Sequence, residues 1–193
     1  MTKDTLPPGA CHQKISRSRA SDPPGEAASL LAACGDFDIR IARDGTWFHE
    51  GAPIPRKELV RLFASVLKRD DSGDFWLVTP AERGRIVVDD APFTAVECRA
   101  QGEGTGQVLS FRTNLDDWVE AGPEHPIRVE IASDSEEPRP YIEVRDRLDA
   151  LIVRPVYYQL VELAELRQAD DESDDDVLGL WSKGAFFPLG RMT

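Results

Sequence analysis

Residues 36–67 read DFDIRIARDGTWFHEGAPIPRKELVRLFASVL, and this stretch decides the fold. Apolar residues alternate with polar ones at 37–41, which is the period of a half-buried strand. The Asp-Gly pair at 44–45 is typical of a tight turn between antiparallel strands. Residues 46–50 supply the return strand, so the stretch opens with a β-hairpin.

An amphipathic helix is predicted directly after this hairpin. Pro55 suits the first turn of a helix, because the missing proline N–H costs nothing there. The apolar side chains recur at helical spacing and predict a single buried stripe, formed by Leu59, Leu62, Phe63, Val66 and Leu67. The basic side chains of the same segment are expected to face solvent: Arg56, Lys57, Arg61 and Lys68.

A similar pattern returns at residues 141–166. It contains a strand at 141–145, an Asp-Arg turn, a return strand at 148–153, and a helix opened by Pro155. The predicted apolar stripe of this second helix comprises Val156, Tyr157, Leu160, Val161, Leu163, Ala164 and Leu166. The recurrence indicates a duplicated unit, although two unrelated units that share common turn chemistry would look the same.

The predicted fold class is α+β, with two lobes built from a repeated strand-turn-strand-helix-strand motif and mainly antiparallel sheets. Residues 1–25 are rich in Pro, Gly, Ser and basic side chains and nearly lack large apolar ones, so a disordered tail is expected. The N-terminal α+β lobe is expected at 26–88. The C-terminal α+β lobe, which carries the second copy of the motif, is expected at 89–193.

Further elements are predicted within the second lobe. Residues 92–99 and 107–112 predict a hairpin across a glycine-rich tip. Residues 114–120 predict one helical turn capped by Asn114. The acidic run at 170–176 is interpreted as a solvated loop, because it lacks the glycine and the distant glutamate of a calcium-binding EF-hand.

Charge and cysteine usage exclude several function classes. The formal net charge of −12 opposes binding to nucleic acids and to anionic membrane surfaces. No apolar run approaches the ~18 residues that a membrane span requires. Three scattered cysteines without a CxxC pair argue against a disulfide framework and a zinc site. We therefore expect a cytoplasmic protein with no metal and no cofactor.

No nucleophile elbow and no phosphate-binding loop occurs in the sequence. Two groups of residues are candidates for a ligand site instead. Aromatic side chains together with a titrating group suit a small-molecule cleft, and the first group consists of Trp47, His49, Trp76 and His125.

The second group consists of arginines on or beside strands of the second half, which would clamp a carboxylate or phosphate if they converge, namely Arg112, Arg128, Arg139 and Arg154. The alternatives are that the tryptophans belong to the core and that the arginines pair with surface acids. The candidate ligand-binding residues are Trp47, His49, Trp76, His125, Arg128 and Arg154.

Three segments resemble a bacterial family called domain of unknown function 1285. They read GTWFHEGAPIPRKELVRLFASVLKRDDSGDFWLVTPAERGRIVVDDAPF, FRTNLDDWVEAGPEHPIRVE and PRPYIEVRDRLDALIVRPVYYQLVELA. The resemblance covers roughly residues 35–190. It implies a two-lobed fold with repeated strand-and-helix motifs and a part in signal transduction. It implies no established activity and no functional residue.

Three functions from different classes are compatible with these observations. The first is a non-enzymatic module that binds an unidentified small molecule or protein partner in bacterial signalling. The second is a small-molecule hydrolase with a cleft between the lobes and His49 or His125 as its acid-base group. The third is a structural subunit of an assembly. The missing catalytic motif favours the non-enzymatic module.

Overall fold

The computed structural model of the chain describes residues 33–131, 137–167 and 176–192. In these ranges the protein is α+β, with three β-sheets and two helices. The predicted tail at 1–25 and most of the acidic run at 170–176 lie outside them. Neither described helix is long and apolar enough to cross a membrane.

The first sheet is formed by the N-terminal part of the described chain. Its strands are β1 (Ala33–Ile41), β2 (Trp47–His49), β3 (Ala52–Pro53), β4 (Leu67–Arg69), β5 (Phe75–Val78) and β6 (Glu82–Val88). Their spatial order is β3-β2-β1-β6-β5-β4. The predicted hairpin is present, with Ile41 opposite Trp47 and Ile39 opposite His49. β1 also pairs in parallel with β6, so the sheet is mixed.

The second sheet is formed by six strands, β7 (Phe93–Gln101), β8 (Val108–Thr113), β9 (Trp118–Glu120), β10 (Ile127–Ile131), β11 (Pro138–Arg145) and β12 (Leu148–Ile152). Their spatial order is β10-β11-β12-β7-β8-β9. β12 pairs in parallel with β7. Asp146 and Arg147 connect β11 to β12 with φ angles of 44° and 64°. A turn with two left-handed residues matches the natural twist of a hairpin. This sheet therefore contains the second predicted hairpin.

The third sheet is an antiparallel meander that follows the second helix. It contains β13 (Glu165–Arg167), β14 (Asp176–Ser182) and β15 (Ala185–Met192). The helices are α1 (Lys57–Ser65) and α2 (Arg154–Leu163).

In both halves a hairpin precedes a helix, and three antiparallel strands follow that helix. The lobe boundaries at 88 and 89 stay a prediction.

The predicted buried stripe of α1 is correct only in part. Phe63 packs against the core and Leu67 is buried, as predicted, whereas Leu59 and Leu62 are 37% and 61% exposed. The helix ends at Ser65, two residues before the end of the predicted stripe, so Leu67 belongs to β4. Within the helix the buried residues are Val60 and Ala64, which the apolar spacing did not indicate.

Two basic side chains of α1 also contact the second sheet. The Lys57 ammonium lies 2.7 Å from a carboxylate oxygen of Asp116. Arg61 Nε donates to the Leu115 carbonyl at 2.7 Å. Lys57 and Arg61 are exposed, as predicted, and they also join α1 to the loop between β8 and β9.

The second helix also buries a narrower stripe than predicted. Val156 and Leu160 are buried, while Val161 and Leu163 are 39% and 40% exposed. Leu166 lies in β13 and is half-exposed. The buried side chains of both helices join one continuous core with the sheets, whose largest members include Ile41, Trp47, Phe93, Phe111, Leu148 and Leu180.

The helical turn predicted at 114–120 is wrong. The chain turns at Asp116, whose φ is 67°, and continues as β9. Asn114 does not cap a helix. Its Oδ1 accepts from the Thr94 backbone N–H at 3.2 Å, and its Nδ2 donates to the Gly45 carbonyl at 3.2 Å. The Asn114 side chain thus ties the first hairpin turn to the second sheet, a role that local sequence does not encode.

The third sheet offers a direct test of its packing. A Cβ placed on Gly179 would lie 2.7 Å from the Phe187 carbonyl oxygen and would clash with the Phe186 ring. Gly179→Ala should therefore lower the free energy of unfolding by about 1–3 kcal/mol, as overpacking does. Gly190→Ala is the control, because a Cβ there meets no atom within 4 Å. Urea titration of both variants measures the effect, and equal stability of the two would contradict the described packing.

Candidate functional site

One cavity of about 500 Å³ collects charged and aromatic side chains from separate segments of the chain. We call it the arginine cavity and define it by Arg43, Asp90, Arg139, Arg154, Tyr157 and Tyr158. Pro138, Pro140 and the residues 151–153 complete its apolar wall. Its volume falls in the usual range for small-molecule sites.

Local structure places these side chains at the cavity. Arg43 follows β1 at the hairpin turn, and Asp90 lies in the link between β6 and β7. Arg139 lies on β11. Val153 alone separates β12 from α2 and is the N-cap residue of that helix, while Pro155 occupies its first turn. The strand thus passes directly into the helix, which places the first turn of α2 at the end of a central strand of the second sheet.

Two ion pairs in the cavity differ in burial. Arg154 Nη2 lies 3.2 Å from a Glu137 carboxylate oxygen, and both side chains are more than half exposed. Arg43 Nε lies 3.3 Å from Asp90 Oδ2, but the Asp90 side chain is only 8% exposed. Exposed ion pairs contribute about 0–1 kcal/mol, so a bound ligand can replace the Glu137 contact at little cost.

Asp90 is held in place by Tyr141. The Tyr141 hydroxyl donates to Asp90 Oδ1 at 2.7 Å. Burial, together with this bond, raises the pKa of Tyr141, so the phenol keeps its proton and remains a donor. Asp90 Oδ2 is buried and has no hydrogen-bond partner in the described part of the chain, because Arg43 is near but not aligned. The cavity therefore contains a fixed carboxylate with unused acceptor capacity.

Arg128, a predicted ligand residue, is occupied by a buried carboxylate. Its two terminal nitrogens donate to the Asp149 oxygens at 2.6 Å and 2.9 Å, and its guanidinium lies 4.9 Å from the Tyr141 ring centre. The hydrogen bond to Asp149 raises the pKa of Arg128. Arg69 approaches the same carboxylate at 3.5 Å and connects it to β4. Arg128 contacts Tyr141, the residue that holds Asp90, and does not line the arginine cavity.

The other proposed aromatic and histidine residues do not share one cleft. Trp47 is 1% exposed and stacks on Phe63, so its ring belongs to the core. His49 is exposed at the end of β2. Trp76 donates from Nε1 to Asp70 at 2.8 Å, which holds the pKa of that carboxyl below its usual value. A ligand role for these residues stays a prediction.

His125 lines a separate cavity of about 660 Å³, which we call the histidine cavity; it also contains Arg99, Ser110, Trp118, Glu124 and Lys183. His125 Nδ1 lies 3.1 Å from the Glu143 backbone carbonyl. A carbonyl oxygen only accepts, so Nδ1 carries a proton and Nε2 of the neutral ring keeps the lone pair. The hydrolase hypothesis requires His49 or His125 within hydrogen-bond reach of an Asp or Glu in a cavity. The described partner of His125 is a backbone carbonyl, and the hypothesis stays a prediction.

The described residues show no further chemical centre. Among them, no group of three or more His, Cys, Asp or Glu side chains is arranged to hold a metal ion. Burial raises the pKa of the Cys98 thiol to about 12, so this thiol is not ionised at neutral pH.

Sequence reasoning found only part of the arginine cavity. Of the four arginines expected to converge, Arg139 and Arg154 line it, while Arg112 is bound by Glu97 and Asp116. Arg43, Asp90 and the two tyrosines were missed. The adjacent tyrosines at 157 and 158, two residues after Pro155, are the signal that could have located this site, since they lie in the first turns of a predicted helix.

Fold and site together define an α+β protein with mixed sheets and a small cavity lined by arginine and tyrosine. The chain belongs to the DUF1285 family. The model described as "Domain of unknown function (DUF1285), N-terminal domain" matches residues 31–91. The model described as "Protein of unknown function (DUF1285), C-terminal domain" matches residues 92–189. The resemblance noted from the sequence is confirmed.

Two crystal structures of this family are similar to the chain. A DUF1285 family protein from Silicibacter pomeroyi DSS-3 is 45% identical, with a TM-score of 0.77 over 90% of this chain and 91% of that chain. A DUF1285 family protein from Shewanella baltica OS155 is 24% identical, with a TM-score of 0.51 over 65% of this chain and 91% of that chain. The second likeness concerns the fold alone. A search of the curated proteins gives no match.

Proposed function

We propose that the protein is a non-enzymatic module that binds a small ligand in the arginine cavity and acts in signal transduction in the bacterial cytoplasm. The observation that carries this proposal is the meeting of three guanidinium groups and two tyrosine rings in a cavity of ligand size, namely Arg43, Arg139, Arg154, Tyr157 and Tyr158. Binding without chemistry fits this lining, because guanidinium groups recognise and orient anionic groups but do not transfer protons at neutral pH.

The arrangement supports recognition of an anionic group. A planar guanidinium binds a carboxylate or phosphate through two parallel hydrogen bonds. Arg154 stands at the first turn of α2, where the helix dipole also favours negative charge. Its present partner Glu137 is exposed and weakly held. A ligand anion can therefore take the position of the Glu137 carboxylate.

We also propose that the two halves descend from one duplicated unit. Support comes from the shared order of hairpin, helix and three antiparallel strands. In the first copy the last strand, β6, returns to pair with β1 in the same sheet. In the second copy the meander forms a sheet of its own, and the start of α2 borders the arginine cavity. On this view Arg154, Tyr157 and Tyr158 of the ligand site come from the second copy, and Arg43 comes from the first.

A thermal-shift experiment tests the binding proposal. We expect at least one of a set of compounds that carry an anionic group, including inorganic phosphate, succinate, citrate, nucleotides and the zwitterionic amino acids, to raise the melting temperature of the full chain. At a hundred times its dissociation constant a ligand adds about 2.7 kcal/mol, which corresponds to roughly 5–10 °C for a domain of this size.

Amino-acid substitutions test whether the thermal shift arises from binding in the arginine cavity. Arg154→Gln and Arg139→Gln should each weaken the response about tenfold or more, since a charge-assisted pair contributes about 1.5–3 kcal/mol. Arg56→Gln is the matched control, because Arg56 is exposed and lies outside the cavity. If no compound of this set stabilises the protein, or if all three variants respond like the parent, the proposed site is wrong.

A further inference from the structure

The arginine cavity contains both signs of charge, and this limits what it can bind. We propose that its ligand is a small zwitterion of the α-amino-acid class, with its ammonium group on Asp90 and its carboxylate on Arg154 and Arg139. This inference rests on the proposed function. It adds the chemical class of the ligand and assigns Asp90 a binding role.

Asp90 provides the cation-binding end. Its carboxylate is fixed through Oδ1 by Tyr141, while Oδ2 is buried without a hydrogen bond. A buried acceptor without a donor costs free energy, which a suitably placed donor recovers. Arg43 lies 3.3 Å away in a side chain that is 60% exposed, so it can swing into solvent. An ammonium group that replaces Arg43 would give Oδ2 the aligned donor it lacks.

Arg139 and Arg154 provide the anion-binding end. A ligand with negative charge alone can take the place of the Glu137 carboxylate but would still meet the buried carboxylate of Asp90. A ligand with positive charge alone would meet three guanidinium groups. Like charges in a confined site are mutually unfavourable, so each single-sign ligand is repelled by part of the lining. A zwitterion satisfies both ends at once.

The remaining wall selects for an apolar side chain. Tyr157 and Tyr158 stand beside the aliphatic side chains of residues 151–153. Tyrosine rings bury apolar area at a low entropy cost and keep a polar end for solvent or ligand. The cavity volume of about 500 Å³ is ample for a single amino acid. Aliphatic and aromatic amino acids are therefore expected to bind best.

Calorimetric titration of the full chain with each of the twenty common amino acids tests this inference. We expect at least one apolar member to bind. The N-acetyl and the amide derivatives of that amino acid should bind at least about tenfold more weakly, because each loses one of the two charges. Equal binding of either derivative would overturn the inference, as would the failure of all twenty to bind.

Asp90→Asn gives an independent test. The asparagine Oδ1 still accepts from Tyr141, so the variant retains that contact but removes the negative charge. We expect Asp90→Asn to weaken amino-acid binding at least about tenfold, the loss expected for one charged hydrogen bond. The matched control is Asp89→Asn, since Asp89 is the neighbouring residue, pairs with Arg40 and lies outside the cavity. Circular dichroism checks that both variants fold. If Asp90→Asn does not fold, the N-acetyl and amide series on the unaltered chain decides the question alone.

The outcomes separate this inference from the proposed function. Suppose that succinate or inorganic phosphate binds, that Arg154→Gln abolishes this binding, and that no amino acid binds. The assignment of the ligand as a zwitterion is then wrong, and the proposed ligand site stands. If neither class binds, both fail. If amino acids bind but Asp90→Asn binds them as well as Asp89→Asn does, the role of Asp90 is wrong.

Discussion

Trp47→Ala should lower the free energy of unfolding by about 3–5 kcal/mol, the usual cost of removing a large aromatic side chain from a core. The indole is 1% exposed and packs against Phe63 on the inner face of α1. Its removal would leave a cavity between the helix and the first sheet. Denaturant titration followed by circular dichroism measures the loss.

Trp118→Ala is the matched control for this prediction. Trp118 is 41% exposed and is covered by the guanidinium of Arg99 at 4.2 Å from its ring centre. Truncation of a half-exposed ring with one cation–π contact should lower the free energy of unfolding by only about 1 kcal/mol. If the two variants lose the same stability, Trp47 is not a core residue, and its interpretation as a cleft wall regains support.

Arg128→Ala should also lower the free energy of unfolding strongly, by about 3 kcal/mol, because the buried Asp149 carboxylate loses its main hydrogen-bond partner. Asp149 is 6% exposed and receives two short hydrogen bonds from Arg128. Arg69, at 3.5 Å, replaces only part of that interaction. A double-mutant cycle with Asp149→Ala should give a coupling energy of about 1–3 kcal/mol.

An exposed pair provides the comparison for that cycle. Arg85 and Asp74 lie 2.6 Å apart, but their side chains are 52% and 38% exposed. Their coupling should stay within about 0.2–1 kcal/mol and should fall as salt is added. A coupling for Arg128 and Asp149 no larger than this would contradict the structural role assigned to Arg128.

The hairpins and the helix starts were predictable because their signals are local. Asp44-Gly45 forms a turn through its own local geometry, and Pro155 lies in the first turn of α2 as Pro residues often do. Pro55 lies just before Arg56, the N-cap residue of α1, and not in the first turn as predicted. The buried face of α1 was predictable only in part, since its apolar residues fit more than one face. The contacts of Lys57 and Arg61 with the loop between β8 and β9 are non-local, so no local pattern indicates them.

The candidate site was only partly predictable because its members are distant in sequence. Arg43 and Asp90 reach the cavity through the pairing of β1 with β6, which is parallel and therefore not encoded by any turn. Tyr157 was expected on the buried stripe of α2, yet it also lines the cavity. Trp47 lies in the core, which is one of the two alternatives that the sequence left open, since an aromatic residue of alternating pattern fits a core and a cleft equally well.

The most direct test of ligand binding in the arginine cavity is chemical-shift mapping of the full chain. Backbone amide spectra would be recorded with and without a pool of the twenty amino acids, together with succinate and inorganic phosphate. We predict that the changes gather at Asp90, at residues 137–140 and at residues 151–158. Changes that gather instead around His125 and Trp118, or no change at all in the predicted segments, would contradict a ligand site in this cavity.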